Sequence, residues 1–367
     1  MRVHVVDPSA YTPPYDHALC SALAVAGADV ELYTSRFAYS SVPPPRGYER
    51  IEHFYRAGAF VPGSTSAAQR ARRALKLAEH IPDMLRYKRA ARGADIVHFQ
   101  WLSVQQLDGR LLPRGRPLVL TAHDVLPREP RRGQREAQRR LYERFDAIVA
   151  HSEHGRERLT DELGIDAARV HVIPHGAFAH LAEAPEAPAP FQTDKKVVLF
   201  FGLMRPYKGI DVLLEAWRGI DDAELWIAGM PRMDISALQA AAPENVRFVP
   251  RFIGDAELAP YFRRADLVVL PYREIEQSGV LFTALAFDKP LLLSDVGGFG
   301  EIAARGAARA VPPGDPVALR GALRELLDDP DALAALTLRA GELARGEYAW
   351  DQIARRTIAL YEQLLSA

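Results

Sequence analysis

The 367-residue sequence contains a single cysteine, Cys20, which excludes an internal disulfide framework and suits a reducing compartment. No run approaches the roughly 20 apolar residues that a transmembrane helix requires. The start, "MRVHVVDPSA", has too short an apolar run for a signal peptide. We therefore expect a cytoplasmic protein.

The sequence also lacks a strong net charge, because 46 Lys and Arg stand against 47 Asp and Glu. This balance gives no overall indication of nucleic-acid binding, and we expect no such partner. Residues 1–185 carry 26 Lys and Arg against 21 Asp and Glu, whereas residues 186–367 carry 20 against 26. The basic excess lies in "QRARRALKLAEHIPDMLRYKRAAR" and "PREPRRGQREAQRRLYERF". Such stretches are typical of solvated helix faces; the alternative is a basic surface for peripheral contact with anionic lipid or an anionic acceptor.

The glycine-rich fingerprint of dinucleotide-binding domains is missing after "RVHVVD", which argues against a nicotinamide dehydrogenase. Short, continuous apolar runs instead alternate with helical patterns in both halves of the chain, as in parallel strands that are covered on both faces. At this length, two domains are expected. The predicted fold class is therefore α/β, with two doubly wound, Rossmann-like domains.

The stretch "AFAHLAEAPEAPAPFQTD" is rich in Ala and Pro and has no periodicity, so it predicts a linker between the domains. We place a first domain at 1–180, the linker at 181–195 and a second domain at 196–347. A last amphipathic helix is predicted at 348–367.

The stretch "VVLFFGLMRPYKGIDVLL" predicts a buried strand that ends at Gly202, followed by two cations, Arg205 and Lys208, and then a helix. Ligands of open parallel sheets bind beyond the carboxyl ends of the strands. Two cations beside a helix N-terminus form a site for a diphosphate. In isolation the same residues would indicate only an exposed loop.

Two further stretches support a site at this edge. In "LPYREIEQSGVLFTALAFDKP", Ser278 and Gly279 open a helix pattern after a strand and would present N–H groups and a hydroxyl to phosphate oxygens. Glu274 and Glu276 precede them; carboxylates there suit sugar or ribose hydroxyls, or else they face solvent or pair with Arg273. In "SDVGGFGEIA", a glycine pair after the next strand lets the backbone approach a ligand.

Together these stretches resemble the nucleotide-sugar domain of the family 4 retaining glycosyltransferases, which have the GT-B fold. The resemblance rests on "HVIPHGAF", "FFGLMRPYKGID", "LWIAG", "VRFVPRFIGDAEL", "YFRRADLVVLPYREIEQSGV" and "ALAFDKPLLLSDVGGFGEI", and more loosely on "LTAHDVLP" and "AIVAHSEHGRERL". It implies two domains that face each other across a cleft, an acceptor-binding first domain, and a C-terminal helix that returns to it.

The resemblance also implies roles. Arg205 and Lys208 would hold the donor diphosphate in place of a metal, and Glu276, with Glu274 as a rival, would contact the donor sugar. His123 would face the sugar from the first domain. The other implied donor-binding residues lie along the sugar, phosphates or nucleobase: Gly202, Arg251, Phe252, Ile253, Gln277, Ser278, Gly279, Val280 and Thr283.

Two departures from the family pattern stand out. The second glutamate of the family's pair, which holds the ribose, is replaced at Thr283 or Ala284. The glycine pair after the first strand is replaced by "DPSAYTPPYDH". The only Asp-x-Asp, Asp329-Pro330-Asp331, is interpreted as a helix cap rather than a metal site.

The remaining histidines have structural interpretations. His151 and His154 are expected at a helix start, His175 in a packed turn, and His98 in the core or lining a cleft.

The expected function is sugar transfer from a nucleoside-diphosphate sugar to an acceptor hydroxyl, with retention and with neither metal nor cofactor. The acceptor, a glycan, lipid-linked or small molecule, is expected to meet the loops at 8–16, 37–68 and 101–111. The alternatives are another GT-B enzyme, such as a nucleotide-sugar epimerase or a phosphorylase, and a non-catalytic protein that binds sugar nucleotides.

Overall fold

A computed structural model describes residues 1–37, 41–57, 66–126 and 133–366. The chain forms two compact units, Met1–Pro174 with Trp350–Ala367, and His175–Ala349. The division therefore falls before the predicted linker at 181–195. The last helix belongs to the first unit, as the resemblance implied. The predicted acceptor loop 37–68 and the second basic stretch lie partly outside the described residues.

The first unit is built on a seven-stranded sheet with the spatial order β3-β2-β1-β4-β5-β6-β7, in which all neighbouring strands are parallel. Its strands are β1 (Arg2–Asp7), β2 (Asp29–Ser35), β3 (Glu49–Phe54), β4 (Ile96–Phe99), β5 (Leu118–Thr121), β6 (Ala147–Ala150) and β7 (Val170–Val172). In the centre, Val3 pairs with Val30 on one side and with Ile96 on the other. This confirms the doubly wound parallel sheet predicted from continuous apolar runs.

The helices of the first unit are α1 (Pro13–Val25), α2 (Ser66–Ala90), α3 (Gln105–Leu111), α4 (Gln134–Tyr142), α5 (Glu153–Glu157) and, from the chain end, α14 (Trp350–Ser366). The core on the α2 side of the sheet is aromatic, with Phe54, Tyr87, Phe99 and Phe145 almost fully buried. Helix α14 packs along α1.

The second unit is built on a six-stranded parallel sheet with the order β10-β9-β8-β11-β12-β13. Its strands are β8 (Lys196–Phe201), β9 (Ala223–Ala228), β10 (Val246–Val249), β11 (Leu267–Leu270), β12 (Leu291–Ser294) and β13 (Ala308–Val311). Its helices are α6 (Ala179–Ala182), α7 (Ile210–Trp217), α8 (Ser236–Ala241), α9 (Asp255–Arg264), α10 (Gly279–Ala286), α11 (Phe299–Ala304), α12 (Pro316–Asp328) and α13 (Pro330–Arg345).

The Asp-x-Asp sequence forms a helix cap. The Asp329 carboxylate accepts hydrogen bonds from the backbone N–H groups of Asp331 and Ala332, both at 3.0 Å, and Pro330 takes the first position of α13. The structural interpretation of this sequence is therefore confirmed. Among the described helices, none is long and apolar enough to cross a bilayer.

Candidate functional site

The order of the second sheet reverses between β8 and β11, which lie side by side. Arg205 and Lys208 follow β8, and Glu276 and Ser278 follow β11. Loops that diverge from two adjacent parallel strands leave a crevice at their carboxyl ends. The structure thus brings together the two stretches that the sequence placed 70 residues apart.

Two glycines make this crevice possible. Gly209 begins α7 with φ +67°, and a Cβ atom there would lie 2.0 Å from the carbonyl oxygen of Pro271, directly after β11. Gly297, after β12, has φ +54°, and a Cβ atom there would lie 1.8 Å from the carbonyl oxygen of Ile275. Both positions combine a left-handed backbone with close backbone contact, which only glycine satisfies.

The two cations after β8 have different surroundings. Arg205 is exposed, and among the described residues its guanidinium makes no hydrogen bond or ion pair. Lys208 is only 7% exposed. Its ammonium donates to the Tyr272 hydroxyl at 2.7 Å and lies 4.3 Å from the centre of that ring. An exposed cation and a buried one therefore stand within four residues of each other.

Two other arginines of the second unit are paired with carboxylates. Arg251 forms a two-pronged ion pair with Glu257 at 2.9–3.0 Å, and this lowers the pKa of the Glu257 carboxyl. Arg273 pairs in the same way with Asp211, and not with Glu274 or Glu276. Because these guanidinium groups are engaged by carboxylates, Arg205 is better placed to bind an incoming anion than Arg251.

The loop after β11 ends in the start of α10. Ser278 occupies the N-cap position and is 6% exposed, and its hydroxyl makes no capping bond. The Gln277 side-chain oxygen accepts from the Ser278 N–H at 3.3 Å. Gly202, at the end of β8, has φ +111°, and a Cβ atom there would lie 3.1 Å from Val280 and 3.5 Å from the Lys208 ammonium. Gly202, Lys208 and Val280 are therefore neighbours in space.

The two glutamates of this loop differ in burial. Glu276 is 9% exposed, and its Oε2 atom is buried, whereas Glu274 is exposed. The Glu276 carbonyl oxygen accepts from the N–H of Gly298 at 3.2 Å, which joins this loop to the one after β12. Burial favours Glu276 as the carboxylate inside the crevice.

The replaced glutamate position has a structural role. The Thr283 hydroxyl donates to the Gly279 carbonyl one turn earlier in α10, at 2.9 Å. Of the two residues expected beside Arg251 after β10, Ile253 is buried and Phe252 half-buried. His175 stacks on Phe282 with ring centres 4.4 Å apart, as expected of a packed turn residue.

In the first unit, His123 follows β5 and lies in a cluster of rings. Its ring stacks on Trp101, with centres 4.9 Å apart and planes 10° apart, and meets the edge of Tyr15 at 4.8 Å. His123 Nδ1 lies 3.2 Å from His151 Nε2, and His123 Nε2 lies 3.2 Å from the side-chain oxygen of Gln100. Gln100, His123 and His151 follow the neighbouring strands β4, β5 and β6.

The hydrogen-bond chain fixes the tautomers. His151 Nδ1 must donate to the Ile173 carbonyl at 3.0 Å, and burial lowers the pKa of His151 to about 4, so that the ring is neutral. His151 Nε2 therefore accepts from His123 Nδ1–H. His123 Nε2 then donates to the Gln100 oxygen when His123 is charged, or accepts from the Gln100 amide nitrogen when it is neutral. The buried Gln100 nitrogen, which has no partner among the described residues, is satisfied by that second arrangement.

His154 lies in the first turn of α5, as predicted, whereas His151 precedes the N-cap and does not cap the helix. Ser152 is the N-cap of α5, where its hydroxyl accepts from the N–H of Gly155 at 3.0 Å. His151 instead lies buried at the end of β6, against His123. Sequence spacing to His154 suggested a local role, whereas the position after a strand was the signal that mattered.

An aspartate organises the turn that replaces the family's glycine pair. Asp7 accepts hydrogen bonds from the backbone N–H groups of Ser9, Tyr11 and Thr12 at 2.6–3.2 Å. Its side chain also bonds to the buried carboxyl of Asp16, and burial raises the pKa of both carboxyl groups. Two carboxyls in contact share a proton more readily than they both ionise.

A cavity of about 440 Å³ opens beside this turn, between the carboxyl end of β2 and the first half of β3. Its charged lining residues are Arg36, Arg50, Glu52 and Asp16. The cavity takes its walls from two of the three loops that were predicted to meet the acceptor.

Comparison with known proteins identifies the chain. Residues 195–329 match the family model described as "Glycosyl transferases group 1", and residues 15–177 match "Glycosyltransferase Family 4". The chain belongs to the family 4 glycosyltransferases. It is thus a hexosyltransferase-type enzyme, and the predicted family is confirmed.

Two curated relatives are glycosyltransferases of inositol-containing molecules. The D-inositol 3-phosphate glycosyltransferase of Kineococcus radiotolerans is 28% identical over 320 residues, which are 75% of this chain and 73% of that protein. The phosphatidyl-myo-inositol mannosyltransferase of Mycobacterium leprae is 33% identical over 237 residues, which are 62% of this chain and 61% of that protein.

Solved structures confirm the GT-B fold. Sucrose-phosphate synthase from Thermosynechococcus elongatus matches with a TM-score of 0.76 at 20% identity, over 100% of this chain and 99% of that one. Anabaena Alr3699/HepE, solved with UDP-glucose, matches with a TM-score of 0.72 at 16% identity, over 99% and 100% of the two chains.

This family 4 glycosyltransferase has a crevice after β8 and β11 in its second unit and a histidine cluster after β4, β5 and β6 in its first unit. Within the ranges that the structure describes, no three His, Cys, Asp or Glu side chains are grouped as metal ligands. Sequence reasoning did not predict the residues that surround His123 as site residues: Tyr15, Gln100, Trp101 and His151.

Proposed function

We propose that this enzyme transfers a sugar from a nucleoside-diphosphate sugar to an acceptor hydroxyl, with retention of anomeric configuration and without a metal. One observation carries the proposal: Arg205, which has no described partner, and the buried Lys208 stand at the switch point of the second sheet, beside the start of α7. The relative solved with UDP-glucose shares this fold.

The chemistry follows from where charge develops. Breaking the bond between the anomeric carbon and the diphosphate leaves negative charge on phosphate oxygens. Arg205, Lys208 and the N–H groups at the starts of α7 and α10 stabilise that charge, which is the role a metal has in other transferases. Glu276 binds sugar hydroxyls, and the leaving phosphate takes the proton of the acceptor hydroxyl on the same face of the sugar.

The experiment is turnover of labelled nucleotide sugars in EDTA, with release of nucleoside diphosphate as the readout. Wild-type enzyme is expected to release diphosphate from at least one donor, and Arg205→Ala is expected to slow this by about 10²–10³-fold. The anomeric proton coupling of the product, measured by NMR, tests retention. Folded protein that releases no diphosphate from any donor would remove the transferase proposal and favour a non-catalytic protein.

We also propose peripheral contact with anionic membranes through α2. Leu77, Ile81 and Leu85 are 55%, 44% and 45% exposed and lie four residues apart on one face of this helix. Lys88 and Arg89 continue that face by one turn. An apolar stripe with flanking cations suits an anionic lipid surface.

Co-sedimentation with vesicles tests the contact. Binding is expected to vesicles that contain phosphatidylglycerol and not to pure phosphatidylcholine, and Ile81→Asp with Leu85→Asp should abolish it. Leu338→Asp, at a 64% exposed leucine in the second unit, is the matched control. Equal sedimentation of all variants would contradict the proposal.

A further inference from the structure

Two serines meet at the switch point of the first sheet. The sheet order reverses between β1 and β4; Ser9 follows β1 and Ser103 follows β4. Their hydroxyl oxygens lie 2.8 Å apart, and both residues are half-buried. The hydroxyl of Tyr55, which follows β3, lies next to both serine hydroxyls. One residue from each of the three predicted acceptor loops therefore joins this hydroxyl cluster.

A fully buried pair lies behind the cluster. The Tyr55 hydroxyl is 2.7 Å from His80 Nδ1, and His80 Nε2 is 2.6 Å from the Asp108 carboxylate. His80, on α2, and Asp108, on α3, are both 0% exposed. The second oxygen of Asp108 accepts from the Val104 N–H at 2.8 Å, so the carboxylate has a donor on each oxygen.

This arrangement gives the hydrogen bonds a direction. The Asp108 carboxylate only accepts, so His80 donates from Nε2; in its neutral form, His80 then accepts at Nδ1 from the Tyr55 hydroxyl. The Tyr55 oxygen has then given its proton inward and can accept the proton of one serine, while the other serine donates across the 2.8 Å contact between the two hydroxyls. With both serine protons used within the cluster, the serine oxygens offer lone pairs to a ligand.

The backbone around the cluster is strained. Among the described residues that are not glycine, only Ala10, Tyr55 and Asp288 have positive φ, with 50°, 54° and 54°. Ala10 adjoins Ser9, and Tyr55 is the member that links the serines to His80. A left-handed backbone is unfavourable for residues with a Cβ atom and persists where surrounding contacts enforce it.

We propose that Ser9 and Ser103 accept a hydrogen bond from a hydroxyl of the acceptor substrate, a neutral sugar or polyol group. Tyr55, His80 and Asp108 are positioning residues that hold the serine protons inward. Lone pairs directed outward suit a hydroxyl, which can donate, and do not suit a phosphate oxygen, which only accepts. The inference rests on the proposed function, because it assigns part of the acceptor site.

The test measures ligand binding apart from turnover. Methyl α-mannoside and myo-inositol are titrated into the full-length protein by saturation-transfer NMR, with inorganic phosphate as the competing probe. Wild type is expected to bind at least one polyol, and Ser9→Ala with Ser103→Ala should weaken that binding by about 10-fold or more. UDP binding, measured in parallel, should not change.

Tyr55→Phe tests the positioning role. It removes the link to His80 and should weaken polyol binding about 3- to 10-fold. The matched control is Tyr33→Phe on β2, where the hydroxyl donates to Glu31 at 2.7 Å and has no described link to the serines; it should leave polyol binding unchanged. A Tyr55→Phe variant that lowers Tm but keeps wild-type polyol affinity would reduce the tyrosine to a structural role and overturn the positioning assignment.

Three results would overturn the site itself: no binding of either polyol by wild type, equal polyol affinity in the serine variant, or serine-dependent binding of phosphate instead. These are distinguishable from failure of the proposed function, which would appear as loss of diphosphate release in wild type while serine-dependent polyol binding persists.

Discussion

Replacing Lys208 with methionine is expected to abolish diphosphate binding while the second unit stays folded. Diphosphate binding and stability should respond differently because Lys208 is a buried cation. Its ammonium donates to a neutral hydroxyl, that of Tyr272, at 2.7 Å. Such a charge is costly to keep in the fold and useful once an anion arrives.

The magnitudes follow from these contacts. Losing the hydrogen bond and the contact with the Tyr272 ring costs about 1–3 kcal/mol in unfolding free energy. Desolvating an ammonium costs several kcal/mol, and methionine avoids that cost while filling a similar space. The net change in stability should be within about 2 kcal/mol of zero. Turnover should fall by about 10²–10³-fold, or about 2.7–4 kcal/mol.

The assay pairs initial rates of diphosphate release with urea unfolding. The control is Lys289→Met, at a half-buried lysine of the same unit whose ammonium donates to the Arg263 carbonyl at 3.0 Å; it should keep wild-type turnover. If Lys208→Met retained turnover within about 10-fold of wild type, Lys208 would have no part in holding the leaving group. If Lys208→Met failed to fold, the Lys208 charge would be required for folding, and the claim that it serves ligand binding rather than stability would be refuted.

Three further predictions concern stability. Gly209→Ala should lower the free energy of unfolding by more than about 1 kcal/mol, because its Cβ atom would lie 2.0 Å from the Pro271 oxygen. The control is Gly219→Ala, at φ +80° with the nearest atom 3.7 Å away, which should lower it less. Equal losses of stability in urea unfolding would contradict this prediction. Burial raises the pKa of Asp16, so the folded state resists its ionisation and Asp16 lowers stability once the pH exceeds its unfolded pKa near 4. Asp16→Asn should therefore be more stable than wild type at pH 7, with a difference that closes below about pH 4; a gap independent of pH would refute this. Burial lowers the pKa of His98 to about 3, so the unfolded chain gains a proton at His98 that the folded state excludes. The contribution of His98 to the free energy of unfolding should therefore fall by about 3 kcal/mol between pH 6.5 and 4. In urea unfolding, His98→Gln should remove this part of the pH dependence.

The second unit was largely predictable from sequence. Its central strands β8, β11 and β12 are nearly continuous apolar runs that are buried along their length, so their sequence pattern indicated their environment. Since parallel strands place their carboxyl ends at one edge, the stretches containing Arg205 and Ser278 could be assigned to one crevice without knowing the tertiary structure.

Other elements were missed for physical reasons. Strand β3 (Glu49–Phe54) contains three charged residues and lies at the sheet edge, where burial does not demand a continuous apolar run. Helix α13 (Pro330–Arg345) was not predicted, although the cap at its start was recognised.

The side-chain clusters of the first unit could not be predicted from sequence spacing. Tyr55, His80 and Asp108 are 25 and 28 residues apart in sequence and belong to three different elements. Gln100, His123 and His151 likewise meet only because β4, β5 and β6 are adjacent. Asp7 stabilises the turn that replaces the family's glycine pair by accepting three backbone hydrogen bonds. The absence of glycine from this stretch did not by itself indicate this role of Asp7.

The most direct test of the central claim is calorimetric titration of UDP and GDP in EDTA into wild type and Arg205→Ala. If Arg205 and Lys208 replace a metal ion, wild type binds one of these nucleotides without divalent cations, and Arg205→Ala weakens binding by at least about 10-fold. Binding that requires a divalent cation, or that is unchanged in Arg205→Ala, would contradict the account.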